Sequence, residues 1–155
     1  MVPLIPLLSV TFDRNIGDLQ YLISIYVIGL AISQPLVGML ADRIGKRPVL
    51  LTGFTLFVVS SVVMMLATTL QQMIALRFLQ AVGVGAGTVI ARSMIRDHLA
   101  SEEALKAFAL LTAAMGFTPV IAPILGGFFA EKGGISSVFA LLAALGLLLL
   151  LWCLK

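Results

Sequence analysis

The chain has 155 residues, 61% of them hydrophobic and 11% charged, with a mean hydropathy of +1.15. That balance excludes an ordinary water-soluble domain and predicts an all-α integral membrane protein. The formal charge of +3, from ten Lys and Arg against seven Asp and Glu, suits the cytoplasmic loops of such a protein and gives no reason to expect a nucleic-acid partner.

A helix crossing a bilayer needs about 20 apolar residues, so the length leaves room for about five or six spans. The start has neither the basic n-region nor the cleavage site of a signal peptide and reads as mature protein. Met1 to Phe12 is apolar but only about half a span long, which predicts either a re-entrant piece or a helix whose beginning is missing. Asp13, Arg14 and Asp18 make the first polar connection, and residues 21–41 the first complete span. A charged turn follows, and Pro48 suits the opening of the next span, residues 49–67, where its missing N–H is not needed. Thr68, Thr69, Gln71 and Gln72 form an uncharged turn. Residues 70–90 are the next apolar segment, with Arg77 inside it. The most polar stretch, residues 92–106, reads as a loop in which Ser101 caps the following helix and Glu102 and Glu103 favour its N-terminal dipole. The fifth span is residues 107–130, Glu131-Lys132-Gly133-Gly134 turns the chain, and residues 138–154 are the last span. No segment shows strand alternation.

Counting cations orients these spans. Placing the turn around Asp42 in the cytoplasm puts Arg43, Lys46, Arg47, Arg92, Arg96, Lys106 and Lys155 inside, and Arg14 and Lys132 outside. The expected location is a cell's inner (cytoplasmic) membrane, crossed several times, and the cation count adds that the Asp42 turn faces the cytoplasm. Cys153 stands alone, so no internal disulfide forms. His98 has no partner at ligand spacing, so neither a metal site nor any cofactor is expected. Asp13, Asp18 and Glu131 read as solvated loop residues. Phe54, Phe57, Met64 and Met65 read as packing or lipid contacts.

Three groups of residues stand out. In the turn, Gly38 would let a neighbouring backbone approach, and Gly45 would permit a positive φ. Asp42 lies on the Gly38 face at the helix's end, where a carboxylate opposes the helix dipole and should seek Arg43, Lys46 or another helix's N-terminus. A purely topogenic loop would need Arg43, Lys46 and Arg47 but neither the aspartate nor the glycines, so a conformational latch is the favoured reading. Arg77 is expensive inside an apolar segment and should face a cavity or partner together with Gln80; the alternative is snorkelling along about 10 Å of helix. Gly116, Pro119, Pro123, Gly126 and Gly127 predict a bent helix tightly apposed to a neighbour, a feature that is also common for structural reasons alone. Tyr26, Ser33 and Gln34 are candidates for a substrate cavity, with helix-to-helix hydrogen bonding as the other account.

Gly38-x-Leu40-Ala41-Asp42-Arg43-x-Gly45-Lys46-Arg47-x-x-Leu50 resembles the loop 2–3 signature of the major facilitator superfamily at every defining position. Arg77-x-x-Gln80-x-x-Gly83-x-Gly85 is similar to that family's fourth-helix motif, with Ala81 where glycine is usual. Ala122-Pro123-x-x-Gly126-Gly127 resembles its antiporter signature, with alanine in place of the glycine before proline. Tyr26-x-x-Gly29-x-Ala31-x-x-Gln34, Arg47-Pro48-Val49-Leu50 and Ala91-Arg92-x-x-x-Arg96-Asp97 look like the bicyclomycin-resistance (Bcr/CflA) type of multidrug exporter, and Pro3-x-x-Pro6 is similar to the proline pair in that type's first helix.

The resemblance implies a six-helix N-terminal bundle, residues 1–155, with an incomplete first helix and the second bundle absent. It implies that Asp42 and its neighbours latch the outward-facing state and that Arg77 and Gln80 serve proton coupling. The usual proton-binding carboxylate would then precede Met1. The implied function is alternating-access export of drugs or other small amphipathic compounds against protons, with the lipid bilayer and a C-terminal half or a second copy as partners. A metabolite importer of the same superfamily and a non-transporting half-length membrane protein are the alternatives. No catalytic group suggests an enzyme.

Overall fold

The computed structural model describes residues 16–154. Met1 to Phe12, with Pro3 and Pro6, lie outside the described residues, as do Asp13, Arg14 and Lys155. The elements are α1 (Ile16–Ile44), α2 (Lys46–Met64), α3 (Leu70–His98) and α4 (Ser101–Leu154), each long and apolar enough to cross a membrane. Strands are absent among the described residues. A bilayer explains this choice, since a helix satisfies its backbone N–H and C=O groups internally where water cannot.

A straight helix of 54 residues would be about 80 Å long, far more than the hydrocarbon thickness of about 30 Å. It is broken at Gly133 (φ −144°, ψ 18°) and Gly134 (φ 67°, ψ −161°), inside the turn expected from Glu131-Lys132-Gly133-Gly134. Gly134 occupies a region of backbone space that side chains avoid. The Ser137 hydroxyl reinforces the break, lying 2.5 Å from the Phe129 carbonyl and 2.8 Å from that of Gly134. Dividing α4 here, into limbs 101–132 and 135–154, makes five membrane-length runs in the described residues. The expected first helix falls before them.

Two buried clusters show how the runs alternate. Leu19 and Leu22 at the start of α1 meet Met64 at the end of α2, Met73 at the start of α3, and Val138 and Phe139 just past the α4 break. At the other end of the bundle, Val37 and Ala41 of α1 meet Val49 of α2 and Ala86 and Ile90 of α3. α1, α2 and α3 each give opposite ends to the two clusters, so these successive helices run antiparallel. Arg43, Lys46, Arg47, Arg92 and Arg96 thereby gather toward one end, while Lys132 lies at the other, its ammonium 4.4 Å from the Phe128 ring centroid.

The helix ends differ in places from the sequence reading. Residues 92–98 continue α3 and are not a loop. A helix leaving lipid has no reason to stop at the first charge, and Arg96 and His98 suit a C-terminal dipole. At the other end of α3, Thr69 accepts a hydrogen bond from the Gln72 N–H at 3.3 Å while Gln72 Oε1 accepts from the Thr68 N–H at 3.1 Å. This reciprocal arrangement is close to a capping box.

The glycines of α3 make the bundle tight. A Cβ on Gly83 would lie 2.6 Å from the Gly53 carbonyl oxygen and 2.8 Å from the Phe57 nitrogen, and one on Gly85 would lie 1.9 Å from Ser33 Oγ. Lipid offers no hydrophobic drive between helices, so such close van der Waals fits carry the association. Gly83→Ala meets backbone that cannot yield and should lower stability in detergent by about 1–3 kcal/mol. Gly116→Ala meets open space and should change it by less than about 0.5 kcal/mol. Thermal unfolding of the two variants checks this difference.

Candidate functional site

Arg77 sits two helical turns into α3, and only 6% of it is accessible. Snorkelling is thereby excluded, because a snorkelling guanidinium reaches water. The charge instead lies between two aromatic rings, with Cζ 5.5 Å from the Tyr26 centroid and 5.4 Å from that of Phe139. Such faces attract a cation by about 0.5–2 kcal/mol each.

Polar contacts complete the cage on one side. Arg77 Nη1 donates to Gln80 Oε1 at 2.5 Å, Gln80 Nε2 donates to Ser61 Oγ at 2.7 Å, and Ser61 Oγ donates to the Phe57 carbonyl at 2.7 Å. Every proton in this chain points the same way, from the cation to a backbone acceptor. Arg77 Nε is buried with no hydrogen-bond partner among the described residues. Nor does any described carboxylate pair with Arg77, since the ion pair found among the described residues is Lys46 with Asp97. A buried guanidinium with an idle N–H and no counter-ion costs several kcal/mol unless something else compensates it. The site can therefore receive an anionic or hydrogen-bond-accepting group.

The charged turn is built differently from the expectation. Gly45 has φ 93°, the positive value its position called for, and its N–H closes α1 by donating to the Ala41 carbonyl at 3.0 Å. Lys46 pairs with Asp97 at the end of α3, and Arg47 donates to the Leu154 carbonyl at 2.9 Å. Asp42 makes no hydrogen bond or ion pair among the described residues, which corrects the expectation of Arg43 or Lys46 as its partner. The reason is rotational, because Ala41 faces the core and the next residue is turned about 100° away from it. Gly38 meets open space, so no described backbone makes the close approach expected there.

Gly116, Gly126 and Gly127 likewise have nothing within 4 Å of an added Cβ. At these three glycines no described residue makes the tight apposition expected of this helix, although Arg92 Nη2 reaches Met115 Sδ on the same limb at 3.9 Å. Pro119 and Pro123 lie within continuous helix, and the non-helical backbone of α4 is at Gly133 and Gly134. Among the cavity candidates only Tyr26 reaches Arg77. Ser33 is buried against Gly85 and donates to the Leu30 carbonyl at 2.8 Å, while Gln34 is exposed. Ser61 and Phe139 were not singled out from the sequence. Their only signal was a serine pair, Ser60-Ser61, inside an apolar span and a phenylalanine just past a glycine turn.

The sequence matches the family model of the Major Facilitator Superfamily over residues 1–155. It is 33% identical over 147 residues to proteins named "Multidrug resistance protein MdtL" from Escherichia coli O45:K1, Escherichia fergusonii and Shigella flexneri serotype 5b. In each case the alignment takes in 95% of this chain and 38% of the relative. The chain thus spans less than half the length of the curated relatives it matches. With the family matched along the whole sequence and the helices long enough to cross a bilayer, the chain belongs to the Major Facilitator Superfamily.

Proposed function

We propose that residues 1–155 form the N-terminal bundle of a transporter that exports small amphipathic, drug-like compounds in exchange for protons, by alternating access against a second bundle. The observation that carries this reading is Arg77, a buried cation held by aromatic rings and Gln80 with an unused Nε. An ionisable group of this kind inside a membrane bundle marks an ion or substrate pathway by default. Arg77 would lower the proton affinity of a carboxylate brought beside it, and drug and proton would compete for the poised site. The names of the relatives support a drug as the cargo.

The open face of limb 101–132 supports a second bundle as partner, either a C-terminal half or another copy. Gly116, Gly126 and Gly127 are small residues turned toward no described neighbour, and small residues in membrane helices suit close packing. The turn from Gly38 to Arg47 would act as the latch. Its described ties, Lys46 to Asp97 and Arg47 to Leu154, join three helix ends at one side of the membrane. The cation surplus at that side supports a cytoplasmic placement in an inner membrane.

Export is tested with the complete coding sequence in a pump-deficient strain and in vesicles carrying a pH gradient. Arg77→Ala should reduce gradient-driven drug efflux by about 5- to 150-fold, the span of a coupling free energy of about 1–3 kcal/mol, while drug counterflow without a gradient persists. Loss of both activities in equal measure would instead make Arg77 a purely structural residue. Orientation is read in a Cys153→Ser background, where a membrane-impermeant maleimide added to intact cells should label Lys132→Cys and leave Arg43→Cys untouched.

The Lys46–Asp97 tie carries a pH dependence. The hydrogen bond from Lys46, the largest cause, holds the Asp97 carboxyl below the usual carboxylate range. A lowered carboxyl contributes stability above its unfolded value, about 4, and loses it as the pH falls through the lower folded value. The melting-temperature difference between the native chain and Asp97→Asn should therefore stay constant from about pH 8 to 5 and shrink below about pH 4.

A further inference from the structure

We propose that a cleft at the charged-turn end of the bundle is a binding site for an anionic phospholipid of the adjoining leaflet. The cleft encloses about 460 Å³ between the start of α2, the end of α3 and the last residues of α4. Its basic residues are Lys46, Arg47 and His98, and its apolar ones include Leu50, Ile90 and Met94. On α3 these fall at positions 90, 94 and 98, four apart and so on one face. That face runs from an apolar residue inside the bundle to a basic one at its end. On α2 the order mirrors it, with Arg47 at the end and Leu50 one turn deeper. Both walls thus pass from cation to hydrocarbon over the same few ångströms, which is the polarity of a phospholipid entering phosphate last.

The charges can serve a phosphate. Lys46 is engaged by Asp97, so Arg47 is the principal ligand. Its guanidinium spends one N–H on the Leu154 carbonyl and has four of its five donors left. His98, whose Nδ1 lies 3.2 Å from the Met94 carbonyl, completes the polar rim. The surrounding surface decides the source of the phosphate, because Leu151, Trp152 and Leu154 beside the cleft are exposed apolar residues that lipid would cover. A ligand arriving from the bilayer meets a continuous apolar approach, whereas a phosphate ion from water does not. Basic pockets between membrane helices select anionic headgroups on this physical basis.

Cys153 lines the cleft and is the sole cysteine of the chain, which makes it a reporter. The complete transporter, with Cys153 kept as its one cysteine, is placed in vesicles of phosphatidylcholine, with and without phosphatidylglycerol, and the alkylation rate of Cys153 by a neutral, membrane-permeant maleimide is measured. Phosphatidylglycerol should slow the reaction about fivefold, and Arg47→Gln should remove most of that protection. Leu151→Cys in a Cys153→Ser background, at similar depth but outside the cleft, should react equally in both lipids. Equal Cys153 rates in the two lipids would overturn the proposal. So would the same protection from inorganic phosphate in phosphatidylcholine vesicles, which would make the site one for a soluble anion. Because the lipid comparison leaves Arg47 in place, the test stands even where Arg47→Gln fails to fold.

Discussion

The charge of Arg77 has to be held inside an apolar bundle, and all four helical elements contribute to holding it. α1 supplies the Tyr26 ring, α2 the Ser61 hydroxyl, α3 the arginine and Gln80, and α4 the Phe139 ring. These groups meet because α2 and α3 touch at backbone distance. The same residue, Phe57, touches Gly83 through its nitrogen and accepts the Ser61 proton through its carbonyl. A bulkier residue at position 83 would push α2 outward and pull Ser61 away from Gln80. The buried polar chain and the glycine contact are therefore one design, in which close packing sets the reach of the hydrogen bonds.

The bundle is unequal in its faces. Around α3 small residues bring helices together until no Cβ would fit, whereas limb 101–132 turns its glycines toward open space. In the proposed exporter this inequality has a purpose, because one set of contacts stays fixed while the other is remade each cycle. Interfaces with two arrangements need weak, small-residue contacts, and charged ties at helix ends can be made in one arrangement and lost in the other. The Lys46–Asp97 and Arg47–Leu154 ties are of this exposed, exchangeable kind.

Much of this was legible from the residues. Apolar run lengths located the spans, two glycine-bearing turns located the reversals near Gly45 and Gly134, and the cost of a charge in lipid singled out Arg77. What the residues alone do not reveal depends on contacts between distant positions. Ser61 lies 19 residues before Gln80, and Lys46 lies 51 before Asp97, and neither pair shares a helix whose periodicity would announce it. α3 ends beyond the apolar count because that count stops at the charges beginning with Arg92, whereas a helix stops only when its backbone is capped or broken. For Asp42 the helix dipole suggests a partner in Arg43, Lys46 or another helix's N-terminus, and the direction of its side chain, set by Ala41 facing the core, leaves it without one among the described residues.

The central claim is that Arg77 poises a site at which drug and proton exchange. It is tested most directly by adding a transported drug to the purified, complete transporter in weakly buffered detergent solution and recording the pH with an indicator dye. The account predicts that drug binding releases protons, with the yield falling toward zero once the solution is alkaline enough to have emptied the site beforehand. Drug binding that leaves the pH unchanged across the neutral range would contradict it.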